Sequence, residues 1–326
     1  MSEIRKHYFL EDYCIVAADR GKRPSDFSSS PEVQNATSCV FCAGKEDKTP
    51  PAQAVYKNGQ VLRDSKEDLI REWQVRCIPN LYPALSPGGI DAPYASGYGF
   101  HEVIIETPRH DRRLTNFTAE EMDLLMEAYR DRVMHYWAKP GIKFVSLFKN
   151  WGKQAGASLE HTHSQLIALP LIPPSLKKEL DVIHAQDDCP YCRIVRLESS
   201  NARSLYENAH FIAFAPYCSQ VPFEIWFLPK SHVGHLGAMS DEILHSLGAA
   251  IRHVLSRLEK VLASPAYNYM FFQLLQDDSY HLNLRLQPVT SKMAGFEKNT
   301  DIFINTMPPE KAAEYLNNGI SEQMVH

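Results

Sequence analysis

The 326-residue sequence predicts an α+β protein made of two copies of one unit, with antiparallel sheets and one long helix per half. Three observations carry this. Two C-x-x-C pairs, Cys39/Cys42 and Cys189/Cys192, are each followed by two widely spaced histidines in the same order. Each first histidine follows a β-branched and aromatic run that ends at a proline, the mark of a strand. Each is then followed by an N-cap residue and a segment of helical period. The chain is long enough for two such units, each with a core of its own. At 44% hydrophobic and 22% charged residues it is neither low-complexity nor disordered.

In the first half, the Cys39/Cys42 pair sits in a turn-like stretch over 38–44, and a strand over 99–105 leads through Pro108 to His110. Thr118-Ala119-Glu120-Glu121 is a capping box. The helix it opens places Met122, Leu125, Met126, Tyr129, Val133 and Tyr136 on one face. A strand over 143–148 follows, and then His161. The second half repeats this order: Cys189/Cys192 in a turn, a strand over 222–227, Pro229, His232 and the N-cap Ser240. Its helix carries Ile243, Leu247, Ile251, Val254, Leu258 and Leu262 on one face, before a strand over 268–272 and His281. The proline-rich stretch 169–174 suits a connector, so the boundary is expected near residue 175, giving units 1–175 and 176–326.

A formal charge of −5 and a pI near 6.3 argue against nucleic acid as a partner. Any anionic substrate must be met by local arginines and lysines. The first residues mix charges with no apolar core, unlike a secretory signal, and no apolar run approaches the ~18 residues of a membrane span. A cytoplasmic protein without membrane partners is expected, with reduced thiols and close cysteine pairs acting as metal ligands. Cys14, Cys77 and Cys218 stand alone in apolar surroundings and read as core thiols. Zinc takes four ligands in a tetrahedron. The expected sets are Cys39, Cys42, His110 and His161, and Cys189, Cys192, His232 and His281, two Zn2+ per chain. His101, His135 and His235 read as ordinary histidines with no assigned role.

The halves differ at one point. The first reads His161-Thr162-His163-Ser164-Gln165, which on a strand puts both imidazoles and the amide on one face. The second reads His281-Leu282-Asn283-Leu284-Arg285, without the second imidazole. A histidine beside a metal site but not bound to it has an unperturbed pKa of about 6.5, leaving a lone pair for use as nucleophile or general base. Upstream, residues 150–158 form a loop of small residues that lets backbone N–H groups, Ser158 and Lys153 approach a phosphate. Together they point to attack on phosphorus and a phosphohistidine-type intermediate.

At these residues the chain resembles the galactose-1-phosphate uridylyltransferase family of the histidine-triad superfamily. The resemblance extends from residues 20–24 through 75–85 and 150–165 to 295–297. It implies tandem histidine-triad-like domains, the first catalytic, and a ping-pong nucleotidyl transfer. A nucleotide sugar, UDP- or ADP-glucose, gives up its nucleoside monophosphate to His163, and a sugar 1-phosphate or phosphate then takes it. The resemblance further implies that Gln165 and Ser158 hold phosphate oxygens while Asn150 and Gly156 line the pocket. It assigns Arg20 and Arg23 to phosphate or nucleotide, Asn80 to base and ribose, a structural role to the zinc, and a homodimer to the assembly. The His161 carbonyl is expected to hold the other ring nitrogen of His163.

Three features depart from the common bacterial members: His-Thr-His in place of His-Pro-His, Leu81 after Asn80 in place of a carboxylate, and the Cys189 cluster. All three are similar to plant-type ADP-glucose phosphorylases, so the base and the sugar stay open. Phosphorolysis of ADP-glucose, phosphorolysis or hydrolysis of dinucleoside polyphosphates, and a non-enzymatic zinc scaffold are the alternatives. The acidic balance and the long separations between cysteine pair and histidines count against the last.

Overall fold

The computed structural model describes residues 2–18 and 39–319. Local chemistry sets the two long helices. Helix α2 (Ala119–Trp137) starts where Thr118 Oγ1 accepts the Glu121 N–H and the Glu121 carboxylate accepts the Thr118 N–H. All six residues expected on its inner face are buried. Helix α5 (Asp241–Val261) starts at Ser240, whose Oγ accepts the Ile243 N–H. Its inner face is shifted from expectation: Leu247, Ile251, Val254 and Leu258 are buried, but Ile243 and Leu262 only partly, and Leu244 and Val261 join the core. The helix packs closely on α2 at Gly248, where a Cβ would lie 3.0 Å from Met126 Cγ.

The strands of the first half are β3 (Ala54–Lys57), β4 (Gln60–Leu62), β5 (Val75–Pro79), β6 (Phe100–Ile105), β7 (Phe144–Trp151) and β8 (His163–Leu169), with the short helix α1 (Pro93–Ser96) between β5 and β6. Helices α3 (Pro174–His184) and α4 (Pro190–Glu198) open the second half, and its strands are β9 (Ser204–Glu207), β10 (Phe211–Phe214), β11 (Ile225–Pro229), β12 (Tyr267–Phe272) and β13 (Asn283–Pro288). The strand expected over 222–227 begins later, at Ile225, because Phe223 has a φ of +61° and breaks the extended run. The turn expected at Cys189/Cys192 is the start of α4: Cys189 is its N-cap, with Pro190 in the first turn.

These strands form one eleven-stranded sheet, β4-β3-β5-β6-β8-β7-β12-β13-β11-β10-β9, with antiparallel neighbours. Outward from the β7–β12 seam, β8-β6-β5-β3 on one side is matched by β13-β11-β10-β9 on the other, so the duplication is visible in the topology. The strands of the two halves are joined edge to edge in this sheet through pairs such as Asn150↔Asn268 and Phe148↔Met270. A core that draws on both halves lies between the sheet and α2 and α5, with Met126, Leu147 and Leu166 in the same cluster as Leu247, Ile251 and Leu284. Residue 175 falls in the first turn of α3.

A separate three-stranded sheet joins the chain's ends, which the repeat pattern did not foretell. Strand β1 (Glu3–Lys6) pairs antiparallel with β2 (Tyr13–Val16), and β2 pairs parallel with β14 (Phe303–Asn305). Helices α6 (Gly295–Thr300) and α7 (Pro309–Asn318) flank β14. Cys14, Cys77 and Cys218 are buried, as expected. Among the described residues no helix is long and apolar enough to cross a membrane.

Strand alternation decides which side chains meet the helices. Glu102, Ile104 and Glu106 of the β6 segment, Lys149 of β7 and Ser164 of β8 turn toward α2, whose Arg132, Tyr136 and Tyr129 meet two of the carboxylates. The opposite face carries His101, Val103 and Ile105, with Gln165 across from Val103 and His163 across from Ile105. The candidate site is on that face, away from α2.

Candidate active site

Two sets of four side chains converge at the expected positions. In each of the sets Cys39, Cys42, His110, His161 and Cys189, Cys192, His232, His281, the ligand atoms all lie within 4.8 Å of one another. Three sulfur–nitrogen distances in the first set are 3.6–3.7 Å, all to histidine Nδ1. In the second set they are 3.5–3.7 Å. A tetrahedral ion with sulfur at about 2.3 Å and nitrogen at about 2.05 Å requires an S···N edge of about 3.6 Å. The distances fit such an ion.

The other ring nitrogens agree. His161 Nε2 donates to the Thr107 carbonyl at 2.7 Å, His281 Nε2 to Pro229 at 3.0 Å and His232 Nε2 to Asp278 at 2.8 Å. Each bond leaves Nδ1 unprotonated, ready to ligate. Burial and the neighbouring Cys39 push the Cys42 thiol up to about 11, and burial with Cys189 does the same to Cys192. A bound cation would offset both effects and hold the sulfurs as thiolates.

His163 follows directly on the first set. It is 7% exposed, and its Nδ1 lies 2.7 Å from the His161 carbonyl oxygen. A carbonyl only accepts, so Nδ1 carries the proton and Nε2 keeps its lone pair. The Phe41 ring meets the imidazole edge-on, at 5.4 Å between centroids. Burial holds the His163 pKa below its ordinary value, against the pull of the His161 carbonyl. Both the burial and the lone pair on Nε2 favour the neutral form of the ring.

Behind this strand lies a buried ion pair. Lys149 Nζ donates to the Glu106 carboxylate, to Thr162 Oγ1 at 2.8 Å and to the His163 carbonyl at 3.0 Å. Tyr129 and Ser164 hydroxyls each donate to Glu106 at 2.6 Å. Burial pushes the Glu106 carboxyl up, but Lys149 and the hydroxyl donors outweigh it and hold it below the usual carboxylate range. The strand is thus pinned from below at Thr162, His163 and Ser164.

Around His163 the structure gathers several of the residues singled out in the sequence. Gln165 accepts from His101 Nε2 at 2.9 Å, and Asn80 stands on the same imidazole at 3.1 Å. Asn150 accepts from Asn268 Nδ2 at 2.7 Å. Gly156 has a φ of +88°, a conformation side chains resist, and a Cβ there would sit 3.6 Å from Asn150 Nδ2. Lys153 and Ser158 are exposed on the same loop. Arg20 and Arg23 lie outside the described residues.

His101, Asn268, Lys149, Glu106 and Phe41 were missed in the sequence. His101 was read as an ordinary histidine, because the signal that distinguishes it is strand register, which puts it diagonally across from Gln165. The second half differs at the position of Gln165. Arg285, in the place of Gln165, donates to Asn283, Glu179 and Tyr191 and packs on Phe272 and Trp226. Protein side chains fill that position.

A family model described as "Galactose-1-phosphate uridyl transferase, N-terminal domain" matches residues 30–173. A second, a domain of unknown function (DUF4921), matches residues 107–324. An ADP-glucose phosphorylase of Arabidopsis thaliana is 33% identical over 96% of this chain and 92% of its own. A galactose-1-phosphate uridylyltransferase of Thermotoga maritima is 26% identical over 97% of this chain and 98% of its own. Among solved structures, an Arabidopsis ADP-glucose phosphorylase with bound ADP-glucose superposes with a TM-score of 0.83 at 31% identity, covering 97% of this chain and 99% of that one. A uridylyltransferase structure superposes with a TM-score of 0.74 at 25% identity, over 98% of both chains. The chain belongs to the galactose-1-phosphate uridylyltransferase family of nucleotidyltransferases, with its pattern matching the plant-type branch.

Proposed function

We propose that this protein moves a nucleoside monophosphate from a nucleotide sugar to a sugar 1-phosphate or phosphate, through a covalent bond to His163. The observation that carries this is the 2.7 Å contact of His163 Nδ1 with the His161 carbonyl, which leaves Nε2 as the ring nitrogen with a lone pair. In the first step the Nε2 lone pair attacks the α-phosphorus, and the bond to the sugar 1-phosphate oxygen breaks with its electrons on that phosphate. In the second an acceptor phosphate oxygen attacks the same phosphorus, and the N–P bond breaks to restore the neutral ring.

Charge gathers on the phosphoryl oxygens in both transition states, and fixed N–H and O–H donors stabilise it there. In this reading Gln165, Ser158, Asn150 and the Gly156 loop supply those donors, Lys153, Arg20 and Arg23 supply positive charge, and Asn80 meets the base and ribose. The four-ligand sets would hold two zinc ions, which supply tetrahedral cross-links when bound. The first would tie the 39–42 turn, the segment after β6 and the start of β8 together. We also propose catalytic and second units at 1–175 and 176–326, a homodimer and a cytoplasmic location.

The Arabidopsis relative and Leu81 after Asn80 favour an adenine nucleotide with phosphate as acceptor, a phosphorylase using the same first step. The test is isotope exchange without a second acceptor: labelled glucose 1-phosphate should enter ADP-glucose or UDP-glucose. The donor that exchanges names the base, and no exchange with either would overturn the reading. Release of sugar 1-phosphate from ADP-glucose on adding phosphate would establish the phosphorylase.

A further inference from the structure

The orientation of two carboxamides in the site can be read from groups whose proton positions leave no choice. The Ala84 backbone N–H donates to His101 Nδ1 at 3.1 Å, so Nδ1 carries a lone pair. In the neutral ring the proton is then on Nε2, and burial lowers the His101 pKa, which favours that neutral form. Two side chains reach Nε2. Asn80 turns its nitrogen there, because its oxygen is taken by the Tyr82 N–H at 2.8 Å, so it cannot accept. Only Gln165 Oε1, at 2.9 Å, can accept the proton. The Gln165 NH2 must then point away from His101.

Asn150 is fixed in the same way. Asn268 Nδ2 donates to the Ala155 carbonyl at 2.8 Å, which can only accept, so that atom is the nitrogen. The Asn150 atom 2.7 Å from it must be Oδ1. Asn150 Nδ2 then faces Gly156. The two carboxamides stand on one face of paired strands, since Gln165 pairs with Phe148 and Asn150 is two residues further along β7.

We propose that His101 and Asn268 are positioning residues that aim the Gln165 and Asn150 N–H groups, and not their carbonyls, at the transferring phosphoryl group. This rests on the nucleotidyl-transfer reading. A carboxamide that turns over would set its oxygen against phosphoryl oxygens, exchanging an attraction for a repulsion at the point where charge develops. His101 acts across β6 and β8. Asn268 acts across the seam, so the second half, whose own position is filled by Arg285, completes the first.

The test is a double-mutant cycle on the rate of the first half-reaction, with ADP-glucose or UDP-glucose as donor. His101→Phe should slow nucleotidyl-enzyme formation about tenfold to hundredfold in the wild-type background, but less than about twofold when added to Gln165→Ala. Asn268→Asp should behave likewise with Asn150→Ala. Losses that simply multiply would overturn the positioning role, because a general structural defect does not depend on Gln165. Wild-type protein that never forms the nucleotidyl-enzyme would overturn the transfer reading and this role with it. A second measurement uses the wild type alone: 15N spectra of histidine-labelled protein should show His101 unprotonated at Nδ1 and protonated at Nε2. The reverse tautomer, or an imidazolium at neutral pH, would overturn the clamp while leaving the transfer reading intact.

Discussion

His163 Nδ1 lies 2.7 Å from the carbonyl oxygen of His161, a residue whose own Nδ1 faces Cys39 and Cys42. One turn of strand thereby couples the metal-ligand set to the candidate nucleophile. Whatever fixes the His161 ring also fixes the carbonyl that selects the His163 tautomer. Cys39→Ser should therefore do more than remove a ligand. It should cost several kcal/mol, or roughly 10 °C in Tm, and lower nucleotidyl transfer even below the unfolding temperature. Calorimetry and exchange rates on the same sample check both effects. Full activity in a variant shown to have lost its first metal would disconnect the two sites.

The matched geometry of the two clusters predicts two zinc ions per chain. Elemental analysis of purified protein should give that ratio, and Cys189→Ser with Cys192→Ser should reduce it to one. A count unchanged by the double substitution would remove the second cluster as a metal site.

The Lys149–Glu106 pair is fully buried, so losing one partner strands the other. Lys149→Met should destabilise the fold by about 3–5 kcal/mol. Adding Glu106→Gln should restore part of that loss, since no charge is then left unpaired. Urea unfolding of the two variants makes the comparison. A double variant less stable than the single one would contradict the pairing.

His7 gives the fold a pH dependence away from the site. Its Nδ1 accepts from the Phe9 and Leu10 N–H groups, and its ring packs on Phe9 and Trp226. Burial, then the nearby Arg285, lowers its pKa to about 4. The unfolded chain binds a proton on this residue below about pH 6.5 while the folded one does not. Its contribution to stability is complete above that pH and declines as pH falls toward 4. His7→Phe should flatten the fall in Tm between pH 7 and pH 5; an unchanged slope would show that the ring is charged in the folded state.

Much of this architecture is legible in the sequence because it is encoded locally. The Thr118 and Ser240 caps, the helix faces and the Cys/His order are patterns of neighbours, and the duplication makes each half a check on the other. His101 and Asn268 are a different kind of information. Their importance comes from which strand lies beside which, and a sequence with no pairing data gives His101 no distinction from His135 or His235. The seam is also non-local: Asn268 meets Asn150 only because β12 pairs with β7. The β1-β2-β14 sheet escaped for the same reason, since it joins segments from opposite ends of the chain. The break at Phe223 is set by a positive φ that a hydrophobic run does not announce.

The most direct measurement is mass spectrometry of the peptide containing His163 after brief incubation with ADP-glucose or UDP-glucose and a basic quench. The expected result is one nucleoside monophosphate on His163, lost in acid, discharged by adding phosphate or a sugar 1-phosphate, and absent from His163→Asn. A modification on another residue, or turnover that persists in folded His163→Asn, would contradict the assignment of His163 as the nucleophile.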